Sequence, residues 1–236
     1  MGSNTTFEGT ESHSAETTLR DLLRMEQVRL VYDQLLSSQL VAVLNAVVFV
    51  AVQSLVIPAP VLVTWLAAVC VLALIRIAGG IAFRSEAPQA GQIGRWRFWA
   101  IVGATASGVV WGSAAWLLYP SMNVAHQVFV AFILGGMVAG SVATLAPVFP
   151  AFLAFSVLTL VPAAVRFAMQ QDAVHYAMGW LILVFLVAVI LIARRSHEHM
   201  SDMLRLRIEN AGLTGELHAT RERLRRAQQG ADSGRA

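Results

Sequence analysis

Between Gln34 and Ala193 the chain spends 160 residues on only seven charges: Arg76, Arg84, Glu86, Arg95, Arg97, Arg166 and Asp172. The uncharged runs between them approach the roughly 20 residues that a helix needs to cross a bilayer. Of the 236 residues, 57% are hydrophobic and 13% charged. A soluble domain of this length could not bury that much apolar surface. The reading is all-α: a polytopic membrane protein with a six-helix transmembrane bundle followed by a cytoplasmic coiled-coil helix. Spans are expected near 39–57, 61–83, 98–119, 125–145, 149–169 and 175–193.

Arginine fixes the orientation. With both termini cytoplasmic, the inner side holds Arg20, Arg24, Arg29, Arg84, Arg95, Arg97, Arg194, Arg195, Arg205 and Arg207, and the outer side only Arg166. That asymmetry obeys the positive-inside rule and requires an even number of spans. All 17 basic residues are arginine, the codon usage of a GC-rich, bacterial genome. The expected location is therefore a bacterial inner membrane. Because the basic residues sit at membrane boundaries, the pI near 9.7 points to the lipid bilayer as partner and not to nucleic acid.

The domain boundaries follow from composition. Residues 1–17 are polar and expected to be a disordered tail. Residues 18–37 mix charges with Leu, Val and Met at helical spacing, as in an amphipathic juxtamembrane helix. The bundle occupies 38–195, the cytoplasmic signalling helix 196–229, and a flexible tail 230–236. The outer connections, "PAP" at 58–60, "PSMNVAH" at 120–126 and "QQDAV" at 170–174, are too short for a folded external domain. A stimulus would have to be read inside the bundle, from lipid or from the cytoplasm.

Few residues are candidates for chemistry. Arg76 lies about eight residues inside the cytoplasmic edge of span two, or roughly 12 Å at helical rise. An intramembrane arginine is costly and needs a partner, yet no acidic residue lies within any span. Its partner is expected to be a backbone carbonyl, a lipid headgroup reached by snorkelling, or a bound anion. Gly108–Gly112 and Gly136–Gly140 form two G-x-x-x-G faces for helix packing, and Trp111 stands where the missing side chains would leave a cavity. His126, Gln127, Arg166 and His175 could form a shallow polar mouth at the outer ends. "RRSHEHMS" places His197 and His199 on different sides of a helix, so no metal site is expected. The sequence also shows no set of catalytic residues and no cofactor motif.

After the last span, Met203, Asn210, Leu217 and Leu224 recur every seven residues, with Leu206 and Leu213 on the companion positions. This is the a/d seam of a parallel coiled-coil homodimer, with a buried Asn fixing register. "LRMEQVRLVYDQL", "GRWRFWAIVGATASGVVWGSAAWLLYP" and "LRLRIENAGLTGELHATRERLRRAQ" together resemble the membrane input region of bacterial sensor and hybrid histidine kinases and of related diguanylate cyclases. The resemblance covers residues 20–229. It implies a helix that couples motion of the bundle to an output. The sequence has no phosphoacceptor box, ATP lid or GGDEF signature, so neither kinase nor cyclase activity carries over. The expected partner is a full-length sensor or an output domain. The competing expectation is a small six-span transporter or channel-like protein.

Overall fold

The structure is a computed structural model that describes residues 5–233 apart from 87 and 89; side-chain surroundings are described for 19–86, 88, 91–207, 210 and 221. All regular structure among these residues is helical: α1 (Thr5–Asp33), α2 (Leu35–Gln53), α3 (Ala59–Glu86), α4 (Ile93–Leu117), α5 (Val124–Leu145), α6 (Phe149–Ala168) and α7 (Ala173–Ser233). Short 3₁₀ turns at Ala90–Gln92 and Ala146–Val148 precede α4 and α6.

Among the described residues five apolar stretches are long enough to cross a membrane, and one of them, Val124–Ala168, is folded back on itself. Pro147 and Pro150 flank its bend, where proline's missing N–H and fixed φ favour a new helix start. α5 and α6 pack side by side across it, so α2 to α7 form six apolar helices. Their outward faces stay apolar: Leu40, Leu44 and Val47 on α2, and Val63, Val71 and Leu74 on α3, are exposed. In water such faces would be an aggregation hazard. In a bilayer they meet their own kind, which makes this a multi-pass membrane protein.

α4 and α6 are the most enclosed of the apolar helices, and each is the other's most extensive partner. The reason lies in small residues. Gly108 and Gly112 press directly onto the backbone of α6. A Cβ on Gly108 would lie 2.9 Å from the Phe155 carbonyl oxygen, and one on Gly112 would collide with that of Leu158. Pro162 deprives the Leu158 carbonyl of its usual helical donor. The bared oxygen rests against Gly112, where only hydrogen substituents leave room.

α1 departs from the expectation of an amphipathic helix lying on the membrane surface. It starts at Thr5, inside the stretch expected to be a disordered tail, and packs against the bundle. Val28 is fully buried, and Val31 and Tyr32 are buried beside it. Tyr32 stacks on Phe83 at 4.3 Å, meets Trp96 edge-on, and donates to the Trp96 carbonyl at 3.1 Å. Burial pushes the Tyr32 hydroxyl up to about 12, so it remains a neutral donor. An apolar stripe looks the same whether lipid or protein covers it. Here α4, α7 and the Ala146–Val148 turn cover it.

α7 runs unbroken for 61 residues, from the last span through the expected boundary at 195 to Ser233. At helical rise this is about 90 Å, three times the bilayer core. Much of α7 therefore stands outside the hydrocarbon. The bundle has a near end, with α1, the 84–97 connection and the 146–148 turn, and a far end at 54–58, 118–123 and 169–172.

Candidate functional site

Arg76 sits in the interior of α3, ten residues from Glu86 at its near end, or about 15 Å by helical rise. Side chains on a helix tilt toward its N-terminus, and α3 starts at the far end. Arg76 accordingly reaches away from the near surface. Trp65 donates to the Val110 carbonyl and Phe83 meets Trp96, which sets the level of α3 against α4. By that register Arg76 starts near Ala100 and Gly103 and extends to Ser107, to which its Nη1 donates at 3.0 Å. The Ser107 hydroxyl passes its own hydrogen to the Gly103 carbonyl. Snorkelling to the near headgroups is thus not what this arginine does. Its neighbour is a neutral hydroxyl, one of the possibilities the sequence left unconsidered.

Gly103 and Ser107 were not singled out in the sequence. They lie four apart, on the α4 face toward Arg76. A Cβ on Gly103 would come within 3.3 Å of the Arg76 Nε, so the glycine makes the channel in which the guanidinium lies. A small-xxx-small spacing opposite an intramembrane arginine was the available signal.

Two cavities share Arg76 as a wall. The larger, about 530 Å³, is a groove between α3 and α4 closed at its near end by Tyr32, Trp96 and the Glu86–Arg95 ion pair. The smaller, about 240 Å³, is edged by hydroxyls: Ser37 and Ser38 of α2, Ser107 of α4, and Ser141 and Thr144 of α5. Gln39 and Trp111 complete its floor. Trp111 therefore lines a cavity. The void is not the one beside Gly112, however, because α6 fills that space. Trp96 adds an unused group: its indole N–H is buried with no acceptor among the described residues.

The polar residues at the far end do something different. Gln53 donates to the Leu118 carbonyl at 2.8 Å, and its carbonyl lies 2.7 Å from His126 Nδ1. Gln127 donates to the Pro120 carbonyl at 2.8 Å and meets His175 Nε2 at 2.6 Å. His175 Nδ1 faces the Asp172 carboxylate, which also accepts from the backbone N–H groups of Val174 and His175. These N–H bonds, chiefly that of His175, hold the Asp172 carboxyl below its ordinary range. Gln53, Gln127 and His175 are all buried. Arg166 lies apart, over the rings of Tyr119 at 4.5 Å and Trp116 at 5.7 Å. The expected open mouth is therefore a clasp that pins the ends of α2, α5 and α7, with Arg166 outside it.

Gly136 and Gly140 do not pack as the expected helix-contact face: a Cβ on either would meet nothing within 4 Å. Gly140 instead borders the hydroxyl-edged cavity. His197 bonds the Ala146 carbonyl at 3.0 Å and so caps the turn after α5. Of the expected dimer seam, Met203, Leu206 and Asn210 are exposed on α7, while the side chains of Leu213, Leu217 and Leu224 lie outside those described. No protein-family model matches the sequence, and no similar curated protein or solved structure was found.

Proposed function

We propose that the chain is a membrane-embedded sensory input module of bacterial signal transduction. A stimulus in the bundle changes the setting of α7, which as a parallel dimeric cytoplasmic helix would control a kinase or cyclase output. The observation that carries this reading is the continuity of α7, with no break between span and extension. A rigid helix transmits a tilt or rotation at one end to the other.

A physical route supports it. Val31 and Tyr32 of α1 wall the large cavity. Gln27, one turn earlier on α1, donates to Ser201 on α7 at 3.1 Å. α1 thus touches both the cavity and the stem of α7 where it leaves the bundle. A ligand that spreads α3 from α4 displaces α1 and, through it, α7. Two discrete settings of one element, each favoured by a different occupant, are what a relay requires.

The test is disulfide crosslinking of Leu206→Cys, with Cys70→Ala, in native membranes. A homodimer that forms at position 206 but not at Arg207→Cys supports a seam. Equal crosslinking at both positions, or none at either, overturns it.

A further inference from the structure

We propose that the two Arg76 cavities take one single-chain amphiphile with an anionic headgroup, arriving sideways from the membrane. This inference names the ligand of the relay just proposed and rests on that reading for its consequence, though not for binding itself.

The charge argument comes first. A guanidinium in an apolar bundle is tolerable only when its donors and its charge are met. Arg76 gives one bond to a hydroxyl, and among the described residues it makes no ion pair. The nearest acid along the groove, Glu86, stands at its near end, ten residues along α3 from Arg76, and is held by Arg95 at 2.7 Å. The guanidinium fork is shaped for a carboxylate or phosphate, which it can bind through two parallel bonds. A headgroup beside it would sit among the hydroxyls of Ser107, Ser141 and Thr144, which donate to the Gly103, Val138 and Ser141 carbonyls and would turn from them to reach it.

Shape sets the rest of the ligand. The larger cavity runs along α3 from Leu72 to Glu86, about 21 Å at helical rise. Leu72, Ile75, Val102 and Ala106 give it an apolar lining. Its 530 Å³ falls in the usual range for small-molecule sites, about 300–1,000 Å³, and suits one chain. Ile75 and Trp99 are more than half exposed on the lipid-facing side, so the groove opens sideways to the bilayer. A free inorganic anion would leave the apolar wall empty. A neutral lipid would leave Arg76 unmatched.

The experiment measures saturable binding of dodecanoate to the full chain in zwitterionic nanodiscs, with partition into empty discs subtracted. Dodecanol, dodecylammonium and acetate are run beside it. The expected result is one site for dodecanoate and none for the other three. Arg76→Met should weaken dodecanoate by about tenfold or more, the loss of a charge-assisted bond, and Arg76→Lys should restore part of it. Dodecanol or dodecylammonium binding as tightly as dodecanoate overturns the proposal without any variant. So does an affinity unchanged in Arg76→Met, and acetate binding as tightly shows a bare anion site instead. Because no readout uses α7, a failure here leaves the crosslinking result standing, and the reverse.

Discussion

The clasp at the far end and the groove around Arg76 both hold polar side chains and handle them differently, although beside the clasp Arg166 Nε is also buried with no hydrogen-bond partner among the described residues. At the far end Gln53 pairs with His126 and Gln127 with His175, and the two glutamines donate to the Leu118 and Pro120 carbonyls. In the interior Arg76 has a single neutral partner among the described residues, and two cavities adjoin it. A satisfied buried network fixes structure. An unsatisfied one costs stability and persists where something else is meant to complete it. On the proposed reading the histidines serve architecture and Arg76 serves recognition.

The α4–α6 contact carries both regions, so breaking it should cost the most. Gly112→Val places a side chain where the Leu158 carbonyl oxygen stands, and backbone cannot yield as a flexible side chain can. Separation of α4 from α6 should lower stability by about 4 kcal/mol or more, read as loss of folded protein in thermal unfolding. Gln127→Leu attacks the clasp alone. It strands the His175 ring nitrogen and the Pro120 carbonyl, and about 2–3 kcal/mol should be lost for the unpaired groups. The same change leaves dodecanoate binding intact if the two regions are distinct in kind.

Acid should loosen the clasp more gently. Asp172 has its carboxyl held down by backbone N–H bonds and by His175. A depressed carboxyl stabilises the fold fully above the ordinary carboxylate range, near 4, and that contribution disappears as pH falls through the lower folded-state value. The unfolding temperature should therefore drop in that acid window. In Asp172→Asn it should be lower at neutral pH and converge with the wild type at the acid end. Parallel curves that never converge would show that the charge is not what matters.

Hydropathy and arginine placement made the six apolar helices legible, because bilayer thickness leaves little choice of length. What lay beyond reach was which face meets which neighbour. Gly108–Gly112 and Gly136–Gly140 are identical as patterns, yet α6 fills only the first. The spacing says that a backbone could approach, not that one does. α1 shows the same gap, since its apolar stripe would suit lipid or protein equally. His126 and His175 were visible as polar groups near the far end, but their partners Gln53 and Gln127 arrive from α2 and α5, distant in sequence. Arg76 was conspicuous from the start, and only the α3–α4 register revealed that it points inward.

The smallest expected change in stability is at that arginine, and it tests the comparison most sharply. Removing one member of a buried ion pair costs about 3–5 kcal/mol, because a charge is left alone. Arg76 has no such partner among the described residues, and Ser107 keeps its bond to Gly103 when the guanidinium is gone. Methionine fills similar space without a charge to desolvate. Arg76→Met should therefore unfold within about 1 kcal/mol of the wild type, or slightly later, while losing dodecanoate. A loss as large as that of Gln127→Leu would make Arg76 a structural tie like the far-end histidines, and the division between clasp and site would fall.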